Sequence, residues 1–224
     1  MSNLPVLYWT PKACSVVPLA LLHHFDIPHK SVEMGWGPDG LEAADGSLSH
    51  AQYLDISATG YIPALVTGDG ISITEIPAIL TYISSLAAAP HNLLGAEGVD
   101  RAKVYEWLTW LSGTLHGLGY GRVFAPQRFT DYKTQYESIR AQGKKLITSY
   151  YQRIDDRVKG KTYAVGSATT VVDIYVYIFF QWGLQNGFKM KEDFPNYTEI
   201  VRRVEKVKGV AEAVETHQLT SPSA

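Results

Sequence analysis

Cys14 is the one cysteine of the chain. It stands where an apolar run, Leu4-Pro5-Val6-Leu7-Tyr8-Trp9, passes through Thr10-Pro11-Lys12-Ala13 toward an apolar stretch with helical spacing. A thiol at a helix start meets the partial positive charge of unpaired backbone N–H groups, which favours its thiolate. Lys12 adds a full positive charge nearby in the chain. The chemistry this predicts is nucleophilic attack or thiol exchange. A lone cysteine that merely fills a core needs no chemistry, and the local sequence leaves both readings open.

Other patterns that carry chemistry fail on inspection. Gly35-Trp36-Gly37-Pro38-Asp39-Gly40 matches the spacing of a dinucleotide-binding loop, with Asp55 downstream. Pro38 removes a donor where the pyrophosphate would sit, and Gly46 would break the helix that should follow. Gly160-Lys161-Thr162 resembles the end of a phosphate loop, but Asp155 occupies the place of its first glycine and would repel phosphate. No histidine pair has metal-ligand spacing, so no metal is expected. No G-x-S-x-G elbow is present.

These residues must be positioned by a chain of 224 residues, 46% hydrophobic and 19% charged, which predicts a well-filled core. The formal charge of −2, without a Lys/Arg run, makes nucleic acid an unexpected partner. The longest apolar run, Ile174 to Phe180, is far short of the about 20 residues a bilayer needs. No signal-peptide pattern opens the chain. The expectation is a protein of the cytoplasm, with no membrane partner.

Residues 1–88 alternate strand-like and helix-like stretches. Ser15 reads as the cap of a helix with Val16, Leu19, Leu22 and Phe25 on its apolar face, and Pro18 in its first turn. His29 to Met34 reads as a strand, followed by an irregular Gly-rich stretch from Gly35 to Gly46. Ala64–Thr67 and Ile71–Thr74 flank Gly68-Asp69-Gly70, a hairpin signal. Thr74 then reads as the cap of a helix through Leu86, with Glu75 in its first turn. This order predicts a small mixed sheet with helices packed on it.

A linker at 89–99 precedes a region without strand signals. Val104, Trp107, Leu108, Leu111 and Leu115 form one helical stripe. Leu146, Ile147, Tyr150, Ile154 and Val158 form another, Val171 to Trp182 is apolar nearly all round, and Ile200 to Val214 holds two shorter helices. Thr170 and Asp173 make a capping pair for the apolar helix. The predicted division is 1–88, a linker at 89–99, an all-helical unit at 100–217 and a tail at 218–224.

The set Tyr8…Cys14, Tyr61-Ile62-Pro63 and Ile73-Thr74-Glu75-Ile76-Pro77 resembles the thioredoxin-like domain of glutathione transferases. Tyr105-Glu106-Trp107-Leu108, Leu115-His116 and Gly166 to Asp173 resemble the helical domain of the same superfamily. Pro11-Lys12-Ala13-Cys14-Ser15 is similar to the cysteine-bearing, bacterial-type (beta-class) enzymes. The resemblance extends from about residue 4 to residue 216. It implies an α/β thioredoxin-like domain with a mixed four-stranded sheet, followed by an all-α domain.

The resemblance also implies a function. Glutathione, as co-substrate, would meet the backbone of Ile62 beside a cis Pro63. Its γ-glutamyl end would lie at Glu75 and Ile76, and its sulfur near Cys14 and His116. Tyr8 is the alternative activating hydroxyl. Trp9, Trp36, Tyr120 and Phe124 would line a pocket for a small apolar electrophile. The implied activity is glutathione S-transferase-like (EC 2.5.1.18 type), in detoxification or secondary metabolism, by a homodimer. Departures from the beta-class pattern are Ile76 for a serine, Thr109 for an asparagine and Gly117 for a lysine. They motivate two rival expectations: a glutathione-dependent isomerase, lyase or tailoring enzyme for one metabolite, and a non-catalytic binding module.

Overall fold

Alternating buried and half-buried residues make Val6–Trp9 the first strand, β1, of a sheet. The computed structural model describes residues 4–88 and 91–219. Residues 1–3, and residues 89–90 and 220–224 of the expected linker and tail, lie outside the described residues.

Helix α1 (Val16–His24) follows, buried along most of its length. β2 (Lys30–Trp36) returns parallel to β1, in register from Val6 with Lys30 to Trp9 with Glu33. β3 (Leu41–Ala43) pairs antiparallel with β2, and α2 (His50–Ile56) comes next. β4 (Ala64–Val66) pairs antiparallel with β1, and β5 (Ser72–Thr74) with β4. The order is β3-β2-β1-β4-β5, closed by α3 (Ile76–Leu86).

The sheet therefore has five strands where four were expected. The additional one, β3, lies in the Gly-rich stretch read as irregular, where Gly37 N–H donates to the Gly40 carbonyl and turns the chain. A strand of three residues has almost no pattern of its own; its pairing with Met34–Trp36 makes it one. The rejected dinucleotide pattern is thus a strand end and a turn. Helix α2 was also missed, although Ser49 and Gln52 form a reciprocal capping box at its start.

From Val99 the chain is helical. α4 (Val99–Thr109) runs into a π-helical segment, Trp110–Tyr120, and on into α5 (Gly121–Phe124). α6 (Tyr136–Val158), α7 (Val171–Gln185), α8 (Met190–Asp193), α9 (Pro195–Val204) and α10 (Val210–Thr216) follow. The stripe Val104, Trp107, Leu108, Leu111, Leu115 is buried as expected, and α7 is buried from Val171 through Gly183. Thr170 and Asp173 form the expected capping box: the Thr170 N–H donates to Asp173 Oδ2 (2.8 Å). Asp173 Oδ1 accepts a further N–H from Ala164 (2.7 Å).

The described chain falls into two units, one ending at His91 and resuming at Arg203, the other Asn92–Arg202. The segment from Arg203, which includes α10, thus groups with the sheet-bearing unit. The reason is α10, which packs on α1 of the sheet-bearing unit. Gly209 admits this approach, because a Cβ there would lie 2.4 Å from the His24 backbone nitrogen. Around it, His24 Nδ1 pairs with the Lys208 carbonyl (2.9 Å), His23 with Glu212 (2.9 Å), and Lys208 with Asp26 (2.6 Å). No helix among the described residues is long and apolar enough to cross a membrane.

Candidate functional site

In the sheet-bearing unit, three of the residues singled out by sequence converge. Cys14 sits in the turn between β1 and α1, and its Sγ lies 3.9 Å from the Ile62 carbonyl oxygen, toward which the thiol donates. The Ile62–Pro63 peptide is cis. Glu75 is close enough for its charge to act on the thiol.

The turn is held from several sides. Ser15 does not cap α1: its Oγ takes the Thr10 N–H (3.2 Å) and returns a bond to the Thr10 carbonyl (3.3 Å). Thr10 Oγ1 donates to the Met34 carbonyl (2.8 Å). Lys12 adopts a left-handed backbone, φ 60°, and its N–H donates to the His217 carbonyl (3.1 Å).

The expected thiolate is not favoured here. Cys14 is 4% exposed, and burial, reinforced by the Glu75 charge, pushes its pKa up to about 12. Desolvation outweighs the backbone N–H groups that pull the other way. Cys14 is a protonated thiol, and of the two readings left open by sequence the buried one describes its surroundings.

Glu75 was expected inside the first turn of a helix capped by Thr74. It is instead the N-cap residue of α3, exposed, with φ 67°. The helix opens at buried Ile76, so the first-turn N–H groups lack partners within the helix. Tyr8 packs on the cluster of Met34, Leu41, Ala43, Tyr53 and Ala64, its ring 5.6 Å from that of Tyr53. Desolvation raises its pKa, which disfavours the phenolate.

In the helical unit, His116 lies on the π-helical segment. Its ring is 5.0 Å from Trp182 and 5.9 Å from Phe179, both edge-on. Desolvation, with the nearby Arg128 charge, lowers its pKa to about 4. The imidazole is neutral at pH 7. The wide π turn belongs to a run with glycines at 113, 117 and 119, and Gly143 of α6 packs against it: a Cβ at Gly143 would lie 3.1 Å from the Gly119 carbonyl. Such segments often mark functional sites.

The four aromatics expected to line one pocket are used differently. Trp9 is 7% exposed against the His217 ring, whereas Trp36 is 75% exposed. Tyr120 is fully buried, its hydroxyl bonded to that of Tyr151. Phe124, 50% exposed, stacks on Tyr120 and meets Trp182 edge-on. Phe179 and Trp182 were not singled out for the site, although their i, i+3 spacing on an apolar helix puts them on one face. Nothing local flagged Arg128. Among the described residues, no three His, Cys, Asp or Glu side chains form a metal site.

Residues 120–206 match the family described as "Glutathione S-transferase, C-terminal domain". The chain is 26% identical over 176 residues to glutathione S-transferase GstA of Escherichia coli O157:H7, covering 79% of this chain and 81% of that protein. Its fold is similar to that of a beta-class glutathione S-transferase of Sphingomonas chungbukensis, with TM-score 0.78 at 22% identity, covering 96% of this chain and 100% of the other. It is also similar to a sphingomonad glutathione S-transferase complexed with glutathione, with TM-score 0.79 at 23% identity and the same coverage. The expected resemblance to the glutathione S-transferase superfamily is borne out, and the chain shares the fold of the bacterial beta-class structure it matches.

Proposed function

We propose that this chain, with the fold of the glutathione S-transferases, binds glutathione at the Cys14–Ile62–Glu75 corner and adds its sulfur to a small apolar electrophile. The convergence of a thiol, the carbonyl before a cis proline and a carboxylate at a helix opening carries the reading. The peptide would run beside Ile62 and Pro63 as an added strand. Its γ-glutamyl ammonium would meet Glu75, and its carboxylate the backbone N–H of Ile76, since Pro77 has none.

Cys14 then serves as an S–H donor rather than as a nucleophile, its one proton turning from the Ile62 carbonyl to the glutathione sulfur. A donor beside the glutathione sulfur favours its thiolate, because a hydrogen bond to the charged form lowers that form's energy. The displaced proton leaves to water, and the sulfur forms a bond to the electrophilic carbon. The bonding pair departs with a leaving group, or enters an adjacent double bond that afterwards takes a proton. His116, neutral beside Phe179 and Trp182, is a hydrogen-bonding group of the helical unit that this reading gives no step. Tyr8 is not the activating group in this reading. The native substrate belongs to detoxification or secondary metabolism, and the working form is a homodimer in the cytoplasm; light scattering tests the assembly.

Titration calorimetry with glutathione tests the placement. Wild type is expected to bind, and Glu75→Ala to bind several-fold more weakly. Equal heats from the two would remove Glu75 from the site. A second reading, a non-catalytic glutathione-binding module, is favoured by the buried, protonated Cys14. It predicts glutathione binding without turnover of any aryl halide or conjugated ketone. Turnover of a single conjugated ketone by isomerisation would favour a dedicated isomerase, the alternative that Ile76 suggests.

A further inference from the structure

His217 follows α10 and is fully buried, yet neither ring nitrogen has a hydrogen-bond partner. A buried imidazole that satisfies neither nitrogen costs stability. What the residue does instead is hold two neighbours. Its ring packs on Trp9 at 4.8 Å, at the end of β1, and its carbonyl accepts the N–H of Lys12 (3.1 Å). Trp9 and Lys12 bracket the turn that delivers Cys14 to the Ile62 carbonyl.

Lys12 has a left-handed backbone that a side chain disfavours. A turn with such a residue persists only where its surroundings impose it. The surroundings are the C-terminal segment, itself fastened to α1 through Gly209, His24–Lys208, His23–Glu212 and Asp26–Lys208. Those fastenings are largely exposed, but together they fix where His217 arrives.

We propose that His217 is a positioning residue for the thiol turn: its ring against Trp9 and its carbonyl on Lys12 clamp the segment that aims Cys14. The C-terminal segment thereby becomes part of the site's scaffold, although it lies about 200 residues from Cys14 in sequence. This goes beyond the proposed glutathione chemistry and rests on it only for the meaning of the thiol's position.

The test reads the thiol directly. The rate at which Cys14 is alkylated by an uncharged maleimide is compared for wild type, His217→Ala, His217→Phe and Tyr197→Phe, each well below its melting temperature. Tyr197 is remote from the turn in sequence, and its hydroxyl donates to the Val176 carbonyl in the helical unit, so it controls for general destabilisation. His217→Ala is expected to label about tenfold faster through local opening. His217→Phe, which keeps a ring on Trp9 and the backbone carbonyl, is expected to label at the wild-type rate. Tyr197→Phe is expected to lower the melting temperature without changing labelling.

His217→Ala should also raise the KM for glutathione while kcat falls less, and His217→Phe should restore both. Wild-type labelling in His217→Ala, equal impairment in His217→Phe, or faster labelling in Tyr197→Phe would each overturn the clamp. Because labelling needs no glutathione, its failure is distinguishable from failure of the proposed activity.

Discussion

The thiol corner and the aromatic nest around His116 are built by different means. The first is an assembly of turns: Lys12 and Glu75 at left-handed φ, the Ile62 carbonyl before the cis Pro63, and the open first turn of α3. The second is made of rings on helix faces, with Phe179 and Trp182 from α7 and His116 from the π-helical segment. They nevertheless treat their titratable groups alike. Burial pushes Cys14 up to about 12 and His116 down to about 4, so both are uncharged at pH 7. In each region desolvation, rather than helix-end charge, decides the protonation state. The lesson is that a residue's place on a helix says less about its charge than what covers it.

The largest effect separating the regions should come from the helical unit's buried carboxylate. Asp173→Ala strands the N–H groups of Thr170 and Ala164, and should cost about 2–5 kcal/mol in denaturant unfolding. Ser49→Ala, at the exposed capping box of α2 in the sheet-bearing unit, should cost about 1 kcal/mol. Equal losses would show that burial does not set the value of a cap in this protein.

Next comes the thiol. If Cys14 works as a donor, Cys14→Ala should lower kcat/KM for conjugation by about 1.5–3 kcal/mol, and Cys14→Ser should recover most of it. Equal loss in both variants would make Cys14 a nucleophile and restore the helix-end argument. A gain of similar or smaller size is expected at the opening of α3. Ile76→Ser supplies a hydroxyl to a charged carboxylate and should tighten glutathione binding by up to about 1.5–3 kcal/mol in calorimetry. No tightening would move the γ-glutamyl end away from Ile76.

A further effect is spread over pH. His116 in one unit and His217 in the other are held neutral, with pKa values lowered to about 4 and about 3. Below about pH 6.5 the unfolded chain binds protons that the folded one refuses, so stability present above that pH is lost as pH falls. The loss is at most about 1.4 kcal/mol per pH unit for each histidine. Urea midpoints between pH 7.5 and 5 should therefore fall less steeply in His116→Phe and in His217→Phe. An unchanged slope in either would show that its histidine titrates normally in the folded protein.

Much of the architecture was legible from one chain. The Thr170/Asp173 box, the hairpin around Gly68-Asp69-Gly70 and the stripe from Val104 to Leu115 depend on residues within a few positions of each other. The signal is local because a cap, a tight turn and a helix face are local objects. Ser49 and Gln52 carried a similar signal that went unread. β3 carried little, since three residues become a strand only by pairing with β2. The π geometry of Trp110–Tyr120 was not visible either, because the apolar stripe also fits an ordinary helix.

For the candidate site, sequence supplied the cast: Cys14, Ile62, Pro63, Glu75, Ile76, His116 and Tyr8 are fixed by type and order along the chain. Their states were decided by folding. Whether Cys14 keeps its proton, whether Tyr8 packs or titrates, and whether His217 reaches Lys12 depend on atoms that arrive from distant segments. Periodicity and capping are properties of neighbours in the chain; desolvation is a property of neighbours in space, and only the tertiary structure brings those together.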